Sequence, residues 1–302
     1  MNNIVHFSPE LAKWIEAQLN CKCAPETLVE AMVAGRMELQ VAQAIVSVFV
    51  KSHRLGAPFP VDSIEMETVA DYRYETPVFN HGSRIVTPDR VVRIAARTAK
   101  PVAAVLIDML SAQECEQLIA LAKPRLTPST VVAPYSGNNI IAPYRNSLGM
   151  FFRLQENPFI AQLEERISAV NNLPIGNGEG IQVLYYPTGT LNTPHFDYLM
   201  PTNPANVNSL ARSGQRVSTI LMYLNDVEEG GETTFPEVGW AVSPQRGNAV
   251  YFEYCNSHNQ VDPLSLHSSN PVMRGEKWVA VKWSRQSRFI SANEVVSEGM
   301  ML

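Results

Sequence analysis

The sequence predicts an α+β protein with a mainly β core, flanked by helices and preceded by an N-terminal helical region. Three observations carry this expectation. Apolar residues recur at steps of three and four through the first fifty residues and again after Asn157, which is the period of an amphipathic helix. Four short runs in the second half are rich in β-branched and aromatic residues and are separated by Pro, Gly and Asn, the pattern of a sandwich or closed double sheet. Between these regions, residues 51–89 lose periodicity and gather Pro58, Pro60, Pro77 and Gly82, as a linker or wrapping segment does. The expected division is therefore an accessory helical region with linker over 1–90 and a β-rich domain over 91–302.

Each element has a local cause. Ser8 is placed to cap a first helix and Pro9 suits its first turn, with Leu11, Trp14, Ile15 and Leu19 on one face. Pro25 and Glu26 open a second helix that Gly35 can end, and Met37 to Val50 forms a third that closes near Gly56. Val91 to Leu110 is β-branched, after which Ser111 to Glu114 has the form of a capping box opening a helix to Lys123. Asn157 and Pro158 start another, carrying Ile160, Leu163, Ile167 and Val170 on one face until Pro174 stops it. The β runs follow at Ile181 to Tyr186, Val217 to Leu224, Ala249 to Tyr254 and Lys277 to Trp283.

Composition narrows the function. With 24 Lys and Arg against 29 Asp and Glu, a formal charge of -5 and a pI near 5.7, the chain lacks the clustered basic surface that phosphate neutralisation needs, so nucleic acid is not an expected partner. No apolar run approaches the ~20 residues of a membrane span, and the first residues have neither a basic nor an apolar leader pattern. A cytoplasmic location is expected. Cys21, Cys23, Cys115 and Cys255 are scattered and read as free thiols.

The chemistry-bearing residues lie in the β-rich half. His195-Phe196-Asp197 is an H-x-D pair; on an extended strand alternate side chains share a face, so one imidazole and one carboxylate could hold one ion. By itself the pair is equally compatible with a buried structural histidine. His267, beside a later β run, would supply the third ligand if the fold brings distant strand ends together, and two His with one carboxylate form the facial triad that leaves positions open on Fe(II). His6, His53, His81 and His258 are read as non-ligands. Lys277 stands ten residues beyond His267. A strand lysine ordinarily faces solvent, but beside a complete triad it suits the carboxylate of an anionic co-substrate.

From Ile181 to Arg285 the sequence resembles the Fe(II)/2-oxoglutarate dioxygenases of the prolyl 4-hydroxylase type. The matching pieces are Gln182 to Gly189, Pro194-His195-Phe196-Asp197-Tyr198, Gly214 to Val217 with Met222-Tyr223-Leu224, Gly230-Gly231-Glu232-Thr233-Thr234-Phe235-Pro236, and the block from His267 to Trp283. A weaker likeness extends upstream through Tyr144-Arg145-Asn146-Ser147 to about Val91. The resemblance implies a double-stranded β-helix, or jelly roll, holding iron through His195, Asp197 and His267. It implies 2-oxoglutarate as co-substrate on Lys277, with Tyr186 and Thr233 hydrogen-bonding near it, and O2 as oxidant with ascorbate as reductant. The implied reaction hydroxylates an unactivated C–H and releases succinate and CO2.

Two departures bear on the substrate. Relatives often carry Tyr where this chain has Asn192, and His where it has Arg285, two residues after Trp283. An arginine there could pair with a free carboxylate through a bidentate bond, which makes Arg145, Arg216 and Arg285 candidate substrate residues with Asn192, Tyr198 and Trp283. The favoured reading is accordingly hydroxylation of a free or carrier-bound amino or imino acid. A peptidyl-prolyl 4-hydroxylase acting on a protein or peptide is the second reading, and a non-catalytic metal-binding jelly roll the third. The polar stretches from Tyr198 to Gly214 and from Pro134 to Pro143 are expected to form loops that close over substrate. The N-terminal helices are expected to cover the core, recruit a partner or form a homodimer.

Overall fold

The structure is a computed structural model that describes residues 3–66, 72–79, 82–129, 131–132, 139–140 and 147–291. Contacts divide it into two units, the first drawn mainly from Met1–Asp71 and the second from Tyr72–Val131, Asn139–Leu199 and Asn208–Leu302. Among the described residues no helix is long and apolar enough to cross a membrane.

The first unit consists of β1 (Asn3–His6), α1 (Pro9–Asn20), α2 (Pro25–Ala34), α3 (Leu39–Leu55) and β2 (Ser63–Met66). Ser8 Oγ accepts the Leu11 amide at 3.2 Å, so the first helix is capped as its sequence predicts. The apolar faces of the three helices converge on Ile15, Leu28, Ile45, Val46 and Phe49, all buried, and each such side chain contributes roughly 1.5–3 kcal/mol. The antiparallel pair β1–β2 is an addition to the sequence reading. Its two strands are four residues long, too short for alternation to be distinguished from a loop.

The rest of the chain, all of it in the second unit except residues 132–138 and 200–207, contains β3 (Arg84–Val86), β4 (Val91–Ala99), β5 (Val102–Ile107), α4 (Ala112–Ala122), β6 (Thr127–Pro128), β7 (Val131–Val132), β8 (Asn139–Ile140), β9 (Leu148–Phe151) and α5 (Pro158–Asn171). There follow β10 (Gln182–Tyr186), β11 (Asn192–His195), α6 (Pro204–Ser213), β12 (Arg216–Tyr223), β13 (Glu229–Gly230), β14 (Thr233–Phe235) and β15 (Trp240–Val242). The last are β16 (Ala249–Glu253), β17 (His267–Ser269), β18 (Val272–Arg274) and β19 (Lys277–Arg285). Nine strands form one sheet in the order β3-β4-β5-β16-β12-β19-β10-β9-β6, and four form another in the order β11-β17-β14-β15. The pairs β7–β8 and β13–β18 stand apart.

The central strand β19 is buried along its whole length, and its alternation sorts the core. Trp278 and Ala280 face a cluster that includes Leu118 of α4 and Ile160, Leu163 and Ile167 of α5. Val279, Val281 and Trp283 face the other way, among Tyr186, Tyr223, Phe235 and Phe252. The helices therefore cover one face of the large sheet and leave the other for chemistry. Both halves of the expected capping box form at α4, Glu114 N to Ser111 Oγ and Ser111 N to Glu114 Oε2, and Asn157 caps α5 through the Ile160 amide.

Of the stretch 51–89 read from sequence as linker, residues 72–79 and 82–89 lie with the second unit. Their backbone is held by side chains of the β-rich chain: the Arg73 amide donates to Gln260, Val78 to Glu253, and Tyr74 Oη to Asp262 at 2.9 Å. A segment whose polar groups are satisfied by another element has no periodicity of its own to read. The polar stretch after Tyr198 also differs from expectation, because it contains α6. Asn203 Oδ1 accepts the Asn206 amide at its start, an N-cap hidden among Asn and Pro residues that also suit loops. The expected loop from Pro134 to Pro143 lies largely outside the described residues.

Candidate active site

Strand pairing builds the centre. In the four-stranded sheet His195, ending β11, is registered directly against His267, beginning β17. Asp197 follows β11 by two residues and is buried. Ligand atoms of His195, Asp197 and His267 all lie within 4.8 Å of one another; His195 Nε2 is 3.8 Å from Asp197 Oδ1 and His267 Nε2 3.6 Å from Oδ2.

The donor chemistry fits a divalent ion. His195 Nδ1 lies 2.8 Å from the Thr193 carbonyl and His267 Nδ1 3.0 Å from the Ser265 carbonyl. A carbonyl only accepts, so each Nδ1 donates to its carbonyl, which leaves the Nε2 atoms, on the Asp197 side, as the ligand atoms available to an ion. Burial works against the charged Asp197 carboxylate, but His267, His195, Arg216 and the Thr219 hydroxyl outweigh it and hold its pKa below the ordinary value. Two imidazole nitrogens and one carboxylate on one side of a point are suited to Fe(II) with open positions.

A second group adjoins the first. Lys277 opens β19 opposite Tyr186 of β10, is 1 % exposed, and donates from Nζ to Ser269 Oγ at 2.7 Å. Its ammonium lies over the rings of Tyr186 at 5.5 Å and Tyr223 at 5.9 Å. Tyr223 Oη in turn donates to Thr233 Oγ1 at 2.8 Å, and Thr233 is registered against Ser269. Burial pushes the Lys277 pKa down to about 7, with the Glu232 carboxylate opposing the shift. Ser269 is two residues along β17 from His267, roughly 7 Å at strand rise, so a cationic end and a metal end are spaced on the scale of a five-carbon dicarboxylate. Gly230 makes the preceding turn possible: its φ is +79° and a Cβ there would lie 2.2 Å from the Pro271 carbonyl oxygen.

The remaining candidates separate. Asn192 Nδ2 lies 3.4 Å from His195 Nε2, at the rim of the centre. Tyr198 is buried, stacked on Phe196 at 4.6 Å. Arg216 and Arg285, expected to receive a substrate carboxylate, are committed to Glu179 instead. Arg216 binds its two oxygens at 2.7 and 2.8 Å, and Arg285 reaches Oε1 at 3.0 Å. Arg285 is 1 % exposed, and its Nη2 donates to the Ser209 and Gly214 carbonyls of the α6 segment. Arg216 Nη1 donates to the Asp197 carbonyl, and its guanidinium lies 4.2 Å above the Trp283 ring. The buried Trp283 Nε1 has no partner among the described residues. Arg145 lies outside the described residues.

Sequence reasoning missed Glu179, Ser269, Tyr223, Thr219 and Tyr254. Ser269 and Tyr223 carry a signal in retrospect, since each is an even number of strand positions from a residue already singled out or from its partner. Glu179 sits before a β run with nothing local to mark it.

The chain is similar to several known proteins. Residues 181–285 match the family model of the 2OG-Fe(II) oxygenase superfamily. Prolyl 4-hydroxylase 1 of Arabidopsis thaliana is 43% identical over 197 residues, covering 60% of this chain and 68% of that protein. Probable prolyl 4-hydroxylase 3 of the same plant is 39% identical over 204 residues, covering 61% and 69%. Among solved structures, the viral collagen prolyl hydroxylase of Paramecium bursaria Chlorella virus-1, in complex with 2-oxoglutarate, aligns at 26% identity and a TM-score of 0.47 over 61% of this chain and 95% of that one.

Proposed function

Because the chain belongs to the 2OG-Fe(II) dioxygenases of the prolyl 4-hydroxylase type, we propose that it hydroxylates prolyl residues within a peptide or protein. We further read its two sheets as a double-stranded β-helix over 91–302, with the segment from Tyr72 packed onto it and the N-terminal helices as an accessory region. The enzyme is an oxidoreductase using Fe(II), 2-oxoglutarate and O2, and ascorbate is the reductant we expect it to need. The chemistry supplied by bound Fe(II) and 2-oxoglutarate is activation of O2 for insertion of oxygen into a C–H bond, with succinate and CO2 as co-products.

The protein's part is binding, orientation and exclusion of water. His195, Asp197 and His267 hold the ion on one side and leave the other for ligands. Lys277 pairs with the far carboxylate of 2-oxoglutarate, Ser269 and Thr233 offer hydroxyls beside it, and the Tyr186 and Tyr223 rings wall the ammonium off from water, where its charge acts more strongly. Asn192 and the buried N–H of Trp283 are the polar groups we assign to the substrate.

The observation that carries the choice of substrate is the closure of Glu179 on both Arg216 and Arg285. A free amino acid would need an uncommitted cation for its carboxylate, and among the described residues the two candidate arginines already have a carboxylate partner in Glu179. A prolyl residue inside a chain has no such carboxylate to satisfy. The test is succinate release, with mass analysis of product, from protein supplied with Fe(II), 2-oxoglutarate and ascorbate and either proline-rich peptides or free amino and imino acids. Peptides are expected to stimulate turnover with a gain of one oxygen on proline. Stimulation by free acids alone would overturn the proposal in favour of the small-molecule reading.

A further inference from the structure

Strand β12 delivers two hydroxyl-bearing side chains to the same face, four residues apart. Tyr223 serves the Lys277 end of the site through Thr233. Thr219 serves the metal end: its Oγ1 is 2.6 Å from Asp197 Oδ2 and 3.1 Å from Tyr254 Oη. Thr219 and Tyr254 are both buried. An ionised carboxylate only accepts, so the one Thr219 hydrogen goes to Asp197 and the Tyr254 hydroxyl must donate to Thr219. The relay runs in a single direction, Tyr254 to Thr219 to Asp197. Its far end is rigid, because the Tyr254 amide donates to the Val217 carbonyl at 3.0 Å and its carbonyl accepts the Asp262 amide at 2.9 Å.

We propose that Thr219 and Tyr254 are positioning residues for the metal centre, a relay of hydroxyls that fixes the Asp197 carboxylate in one orientation and thereby sets the affinity and coordination geometry of the bound divalent ion. The terminal torsion of an aspartate is broad, so an unrestrained carboxylate would swing between one-oxygen and two-oxygen ligation. Engaging Oδ2 from the protein side removes that freedom before any ion arrives. Partners of this kind behind a ligand typically change metal affinity by about 10- to 100-fold. The inference rests on His195, Asp197 and His267 being the ligands.

The test uses the full chain and Co(II) as a spectroscopic probe, with the dissociation constant taken from titration and the geometry from the visible absorption bands. Thr219→Val keeps the side-chain shape and removes the donor; it is expected to weaken Co(II) binding about 10-fold or more and to shift the bands. Thr219→Ser restores the hydroxyl and should return both readings toward the parent protein. Tyr254→Phe should move them in the same direction as Thr219→Val but less far, since Thr219 keeps its own bond to Asp197. A Thr219→Val protein with parental affinity and bands would overturn the proposal. If that variant does not fold, Tyr254→Phe decides, and unchanged affinity and bands there overturn it equally. His195→Ala separates this failure from a failure of the ligand set: undiminished Co(II) binding in that variant would sink the metal assignment and the relay with it.

Discussion

His195 stands directly opposite His267 across the antiparallel pair β11–β17, with ring centroids 4.3 Å apart, although the two are 72 residues apart in the chain. The pairing, not sequence proximity, brings their ligand atoms to one point. Removing one ring should therefore abolish metal binding while the backbone ladder survives. His267→Ala and Asp197→Ala proteins are each expected to retain a native circular dichroism spectrum, to lose bound Fe(II) from near one equivalent to near none, and to release succinate only at background. Iron retained by both variants would refute the ligand assignment.

Lys277 gives a pH dependence with a definite sign. Burial lowers its pKa to about 7 in the ligand-free protein, and a carboxylate bound beside it favours the ammonium and raises that value. Between the two values the free protein carries a neutral amine and the complex a charged one, so binding takes up a proton and affinity falls as pH rises. Below about 7 both states are charged and the dependence vanishes. Calorimetric titration of metal-loaded protein with 2-oxoglutarate, in buffers of different ionisation enthalpy, should show uptake approaching one proton at pH 8 and little at pH 6. Lys277→Arg, always charged, should show none, and equal uptake in parent and variant would remove Lys277 from the co-substrate site.

The elements legible in the sequence are those whose cause is local. Ser8, Ser111 and Asn157 announce helix starts because a cap acts within three residues, and the face Ile160, Leu163 and Ile167 announces its burial by spacing alone. The strand β11 is not legible this way: Asn192 to His195 is four polar or short residues, and it is a strand because β17 pairs with it. The same division holds in the site. His195 and Asp197 can be singled out because they share one strand end, and His267 and Lys277 because a motif links them. Glu179 cannot, since its importance arises only when β12 and β19 bring two arginines to it.

Arg285 separates a structural role from a substrate role. Its side chain ties Glu179 to the Ser209 and Gly214 carbonyls, so Arg285→Ala leaves two carbonyls without their donor and Glu179 with Arg216 alone. Breaking a buried pair of this kind costs about 3 kcal/mol or more. The expected outcome is a loss of unfolding free energy of that order, seen as a lowered midpoint in urea. A receptor for a substrate carboxylate would behave differently, raising KM for substrate while leaving the unfolding midpoint in place. That second pattern would return Arg285 to the substrate site.

Asp89 should govern part of the acid limb of stability. Arg166 of α5 is fully buried and bonded to Asp89, to Glu114 and to the Met109 carbonyl, so it clamps α4 and α5 together on the covered face of the large sheet. The Arg166 hydrogen bonds outweigh partial burial and hold the Asp89 pKa at about 2, against an ordinary 3.8. A depressed folded-state pKa contributes stability above the unfolded value that is lost as pH falls through the folded one. Because Asp89 is largely exposed, solvent screening holds its contribution to about 1 kcal/mol or less, present at neutral pH and lost between about pH 4 and pH 2. Glu114 is lowered as well, although burial opposes its charge, and it steepens the same limb. Asp89→Asn should lose that increment at pH 7, with the gap between variant and parent narrowing toward pH 2 as Asp89 itself becomes protonated. Urea unfolding of both proteins at pH 7 and pH 3 measures the gap directly. A gap that stays constant across this range would mean that Arg166 is held by Glu114 and the Met109 carbonyl without help from the Asp89 charge.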